Sequence, residues 1–254
     1  EMCIRDSIST VKSGNIDIVH FDSVALTQYV KFINRQIPSV ASINDSYSLW
    51  LREKLLSKPY PTLNSLVEKV YYAITFPLAS IYEKNTYEIF QKLHVVSRVD
   101  GEYLKSLSSR IDVEVIPNGV DTRYFRPLGL PLEQNSLVFV ACMTGEHAYN
   151  VLWFIRRVFK KVKKEIPYLK LYLVGKDPHP MLISEARRTK GIIVTGYVDD
   201  VRPYIDKAML FIDPTKKRCG ILNHVLQAMS MGKAVIGTSS SFLAINGAKP
   251  WENV

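Results

Sequence analysis

Lys216, Lys217 and Arg218 form a run of cations separated from Gly220 by Cys219 alone. Behind them Val225, Leu226, Met229 and Met231 recur near helical period, and Gly232 ends the run before Ala234-Val235-Ile236. The stretch reads as a loop, an amphipathic helix, a left-handed glycine stop and a short buried strand. Cations beside the free amides of a helix N-terminus make a seat for an anion, because both present positive charge to one point. The same residues also suit an ordinary loop-helix-strand unit with a solvated charge cluster.

The elements that must hold such a seat alternate along the chain, the pattern of a parallel α/β architecture. Strands are expected at 16–21, 39–43, 94–97 and 113–116, with helices over 24–35 and 100–109. Residues 50–93 read as mostly helical, broken or kinked by Pro59, Pro61 and Pro77. Residues 117–136 hold Pro117, Asn118-Gly119, Pro127, Gly129 and Pro131 with little apolar periodicity, so they read as a linker. Alternation then resumes, with strands at 137–141, 169–174, 192–195 and 209–213 and helices at 149–165, 181–190 and 201–208. The expected division is therefore a first domain over 8–116, a linker over 117–136 and a second domain over 137–254. In a parallel sheet ligands bind beyond the carboxyl ends of the strands, and two such domains would leave a cleft between them.

The chain has 254 residues, 47% of them hydrophobic, and a mean hydropathy of +0.00. No apolar run approaches the roughly 18 residues of a membrane span. Cys3, Cys142 and Cys219 lie far apart, in neither a disulfide framework nor a zinc spacing, which fits a reducing cytoplasm. Residues 1–126 hold 15 Lys and Arg against 14 Asp and Glu, whereas residues 127–254 hold 18 against 10. The positive second half suits an anionic ligand such as a nucleotide diphosphate. Part of it is Arg156, Arg157, Lys160, Lys161, Lys163 and Lys164 on one helix, which also reads as a solvated face. That helix lacks the interleaved aromatics of a single-strand platform, so nucleic acid is not an expected partner. The Tyr- and Lys-bearing stretch from Trp50 to Leu93 suits packing of kinked helices or contact with an anionic membrane face.

Four stretches carry a resemblance. Val115-Ile116-Pro117-Asn118-Gly119-Val120-Asp121 with Phe125 and Pro127 resembles an interdomain linker, and Leu171-Tyr172-Leu173-Val174-Gly175 a central strand and turn. Residues 194–204, VTGYVDDVRPY, resemble a nucleotide-side loop, and residues 220–236 a donor helix. In this order, and with Val151-Leu152-Trp153-Phe154, they resemble the GT-B glycosyltransferases. Within these the likeness is to the retaining family four of bacterial envelope and exopolysaccharide sugar transferases. The resemblance is strong over 94–240 and thin over 16–93. It implies two Rossmann-like parallel-sheet domains, both incomplete here, with strands before residue 16 and after residue 254 in the family. Residues 1–7 do not resemble native sequence, and the fragment is expected to be inactive alone.

The resemblance implies transfer of a sugar, with retention, from a nucleotide diphosphate-sugar to a glycan or lipid-linked acceptor. It implies no cofactor and no metal, and a cytoplasmic enzyme that can lie peripherally on the inner membrane face. Lys216 aligns with a phosphate-contacting cation, with Lys217 and Arg218 beside it; those two read equally as surface charge. Gly220 and Ile221 would offer amides to the phosphate, stabilising the leaving diphosphate without a divalent ion. Gly196, Tyr197 and Val198 would flank the base, although Val198 reads equally as packing. Asn44 and Asp45 align loosely with an acceptor-side catalytic position, and otherwise read as turn formers. Gln227 stands where the family has a ribose-holding Glu, and Leu222 and His224 where it has lysines. The loop 141–147 is shorter than in the family. These departures leave room for a second reading, a weakened nucleotide-sugar-binding protein without transferase activity.

Overall fold

The computed structural model describes residues 6, 9–11, 14, 16–33, 36–57, 65–216 and 219–248. It divides into two compact units, one of residues 1–118 with 218–221 and one of residues 119–217 with 222–254.

The first unit holds a parallel sheet in the order β1-β2-β3-β4: β1 Val19–Asp22, β2 Ser39–Ile43, β3 Lys92–Val95 and β4 Val113–Val115. A 3-10 helix, Val24–Phe32, follows β1, and α1 Tyr47–Leu56 and α2 Ser65–Tyr87 connect β2 to β3. The helix α3, Arg98–Leu107, connects β3 to β4. Alternate residues of the strands, Ala41, Ile43, Leu93, Val95 and Val113, are buried under Tyr87 and Leu104. Their neighbours His20, Ser42 and His94 lie on the other, polar face, where the Ser42 hydroxyl sits 2.8 Å from His20 Nε2 and 3.1 Å from His94 Nδ1. Because the strand order runs without reversal and parallel crossovers are right-handed, the connections fall on one face of the sheet.

Of the break or kink expected at Pro77, the break does not occur, and α2 runs through the proline. The local cost of about 3 kcal/mol is borne by a 23-residue helix that packs on α1 before the proline, through Tyr72 on Trp50, and after it, through Glu83 on the Tyr47 amide. The proline removes the N–H that would bond the Ala73 carbonyl, and nearby the Thr75 and Ser80 hydroxyls donate to the carbonyls of Tyr71 and Phe76. Pro59 and Pro61 lie outside the described residues.

The second unit holds a five-stranded parallel sheet in the order β7-β6-β5-β8-β9. Its strands are β5 Glu133–Val140, β6 Lys170–Val174, β7 Ile192–Gly196, β8 Ala208–Asp213 and β9 Val235–Gly237. β5 starts four residues before the expected Leu137, because Ser136 and Glu133 bond to the neighbouring strand and to each other. After β5 the helix α4, Gly145–Phe154, passes through a π segment, Ile155–Phe159, into α5, Lys160–Glu165. Then come α6 Pro180–Arg188, α7 Arg202–Lys207, α8 Asn223–Ser230 and α9 Ser239–Phe242. Phe139 packs with Ile155, Phe159 and Leu171 in one apolar layer, whereas Val138 and Val140 pack with Ile205, Phe211 and Ala228 in another. A strand buried on both faces must be apolar at every position, as residues 137–140 are. Gly232 has φ of +67° and closes α8 as the left-handed stop expected of it. Met229, expected on the buried stripe, is 39% exposed, and Ala228 takes its place in the core. No helix among the described residues is long and apolar enough to cross a membrane.

Candidate functional site

The strand order of the second unit reverses at β5, with β6 on one side and β8 on the other, and this is where a doubly wound sheet opens a ligand crevice. Asp213 ends β8 at that point, its side chain fully buried. Its Oδ1 accepts from the Thr215 amide at 3.2 Å and hydroxyl at 2.6 Å, and lies 3.3 Å from His224 Nε2 in the first turn of α8. Burial alone would push this carboxyl up, but hydrogen bonds from His224 and Thr215 and the charge of His224 hold it below its ordinary value. Oδ2 of Asp213 is buried with no hydrogen-bond partner among the described residues. Phe139, Phe211 and His147 pack around the His224 ring, with ring centres 5.6, 6.1 and 6.1 Å away. Asp213 carried no signal in our sequence reading, although an acid ending a buried strand before Pro214-Thr215 marks a fixed loop start.

Lys216 leaves the same loop with its Nζ 4.0 Å from the centroid of the Trp153 ring on α4. Partial desolvation there pushes its ammonium below the ordinary lysine value. No described carboxylate pairs with it, so its charge is held in place yet uncompensated. Lys217 and Arg218 lie outside the described residues. Gly196 ends β7 beside open space, and Tyr197 after it is 72% exposed. Val198 is partly buried and packs against the core of the second unit. Gln227 is half-buried in the second turn of α8.

Cys219, Gly220 and Ile221 group with the first unit, and Cys219 is buried in its core. The Gly220 amide, expected to be open to phosphate, donates instead to Asp100 Oδ2 at 2.8 Å. The Ser46 amide donates to Oδ1 of the same carboxylate at 2.9 Å, and the Ser97 hydroxyl donates to it from the helix start. Burial, only partly offset by these bonds, pushes the Asp100 carboxyl up, and the nearby charge of Asp45 adds to the rise. Asp45 itself lies against Gly220: a Cβ there would stand 1.8 Å from Asp45 Oδ1, and the φ of +67° also demands glycine. Asn44 is exposed at the end of β2. The structure thus brings Asp45 and Gly220 together and adds Asp100, which the Ser97-x-x-Asp100 capping pattern at a strand end signals. Among the described residues no group of three or more His, Cys, Asp or Glu is placed to hold a metal ion.

Two family models match in order along the chain: a glycosyltransferase family 4 model over residues 3–124, and a glycosyl transferases group 1 model over residues 134–248. Among solved structures, TarM superimposes with a TM-score of 0.68 at 10% identity over 93% of this chain and 43% of that one. The pneumococcal O-GlcNAc transferase GtfA, in complex with UDP and GlcNAc, gives 0.62 at 16% identity over 92% and 44%. A glycosyltransferase from Rickettsia africae gives 0.62 at 19% identity over 96% and 63%. The chain therefore spans from under half to under two thirds of the length of these proteins. No curated protein matches it. Each half of the chain is thus similar to a glycosyltransferase family model, and its two parallel sheets match the GT-B, Rossmann-like fold of these solved structures.

Proposed function

We propose that this chain acts in a retaining, metal-independent glycosyltransferase that moves a sugar from a nucleotide diphosphate-sugar to a glycan or lipid-linked acceptor. The second unit takes the donor, and the first unit takes the acceptor. The reading is supported most by Lys216, an uncompensated cation fixed over Trp153 beside the strand-order reversal of a sheet that matches a glycosyltransferase model. A fixed positive charge at that point stabilises the diphosphate as it departs, without reorganising at the moment of reaction. With the Gly220 amide engaged by Asp100, the diphosphate relies on Lys216, with Lys217 and Arg218 next to it in the sequence. GtfA carries UDP and GlcNAc in its complex, which favours a UDP-sugar as the first donor to try. Envelope or exopolysaccharide assembly on the cytoplasmic side of the inner membrane is the setting that the motif resemblance suggests. The chain alone is inactive in this proposal, because it spans only part of the length of its structural relatives.

Calorimetry of the chain with UDP and UDP-sugars tests the reading. Binding that Lys216→Ala weakens severalfold is the expected result. An unchanged isotherm in that variant, or no nucleotide binding at all, removes the chemistry from the loop.

A further inference from the structure

The first unit contains a cavity of about 430 Å³ lined by Val24, Ala25, Tyr47, Leu78, Ala79 and Tyr82, with Gln28, Thr75 and Glu83 completing the wall. It lies where the 3-10 helix leaves β1 and α1 leaves β2, roofed by α2, and so at the carboxyl ends of two parallel strands. Its size is that of a small-molecule site.

Each polar side chain of the wall already makes at least one bond inside the protein. Gln28 Nε2 donates to the Ala25 carbonyl at 2.8 Å, and the Thr75 hydroxyl donates to the Tyr71 carbonyl. Tyr82 shares its hydroxyl with Thr27 at 3.1 Å. Glu83 faces the start of α1, where its carboxylate accepts from the Ser46 hydroxyl at 2.9 Å, the Tyr47 amide at 2.8 Å and the Ser48 hydroxyl. A sugar placed in this cavity would lose its bonds to water and find few in return, at a cost of about 1–3 kcal/mol per unpaired group. A hydrocarbon meets no such penalty.

The wall also continues outward as an apolar surface. Residues 70–82 of α2 contain no charged side chain, and Val70, Tyr71, Ile74, Leu78, Ile81 and Tyr82 are exposed along it. Leu78 and Tyr82 belong to both the cavity and the stripe.

We infer that this cavity binds the hydrocarbon arm of an amphipathic acceptor, one long alkyl or isoprenoid chain that enters between Tyr47 and Tyr82 and lies along α2. The assignment rests on the transferase reading only in calling that ligand an acceptor; the cavity itself is independent of it.

The test is calorimetry of the chain with dodecyl phosphate and butyl phosphate below their aggregation thresholds, with UDP titrated into the same preparation. Dodecyl phosphate binds at least about 50-fold more tightly than butyl phosphate, the gain from burying about three of its extra methylenes at about 0.8 kcal/mol each. Ala79→Phe, which fills the cavity, weakens dodecyl phosphate binding at least tenfold and leaves UDP binding as it was. Leu78→Gln, at a position already 62% exposed, does the same in part and guards against a folding defect in the first variant. Equal binding of the two alkyl phosphates overturns the inference, and so does wild-type binding in both variants. Flotation with bare phosphatidylglycerol vesicles without any dodecyl phosphate binding also overturns it, in favour of a bilayer surface. Alkyl binding without UDP binding leaves the cavity standing and sinks the transferase reading instead.

Discussion

The ammonium of Lys216 stands over the face of the Trp153 ring, 4.0 Å from its centroid. The ring does what a carboxylate would do for position without cancelling the charge, so the cation stays available to an incoming anion.

Trp153→Ala frees that ammonium. A cation over an aromatic face is worth about 0.5–2 kcal/mol, so nucleotide diphosphate affinity falls about 2- to 30-fold. Fluorescence or calorimetric titration with UDP reads the loss, and Trp153→Phe restores part of it.

Asp213 sets a pH dependence in the second unit. Its folded carboxyl is held below its ordinary value, near 3.9 for a free Asp. The stability it contributes is therefore complete above that value and is lost as pH falls through the lower, folded one. Asp213→Asn lowers the urea midpoint at neutral pH, with a loss of about 1–3 kcal/mol of unfolding free energy for a broken buried network, and flattens the acid limb of the profile. An acid limb unchanged in the variant would show that other carboxylates govern it.

Gly220→Ala destabilises the first unit. The left-handed backbone and the contact with Asp45 together cost about 2–4 kcal/mol. Hydrogen exchange shows faster opening around Asp100 and Ser46, while the sheet of the second unit exchanges as before.

Gln227→Glu separates the two functional readings. A charge-assisted hydrogen bond to donor hydroxyls is about twice as strong as a neutral one, so donor affinity rises about five- to tenfold if α8 holds a nucleotide-sugar. A scaffold without that contact shows no change by calorimetry.

The two sheets and most connections were legible because Ser39–Ile43, residues 137–140 and the helix before Gly232 carry strong local periodicity and stop signals. The continuity of α2 through Pro77 was not legible, since tertiary docking outweighs a local breaker. Lys216 was visible as a charge in a loop, but Trp153 as its seat was not, because the pair lies 63 positions apart in the chain. Gly220 looked like a phosphate donor for the same local reasons that suit it to Asp100. A residue 120 positions upstream decides between those uses, and no spacing rule reaches that far.

The π segment Ile155–Phe159 adds one residue to a helical turn, which swings everything after it by about 100° relative to an unbroken α-helix. Arg156 and Lys160 both reach Glu185, at 3.3 and 2.6 Å, while Lys163 caps the carbonyls of Pro167 and Leu169. Three of the six cations are thereby folded back onto their own scaffold. The electric field that this helix projects into solvent is weaker than its composition implies, because the carboxylate of Glu185 offsets one of the two cations that reach it.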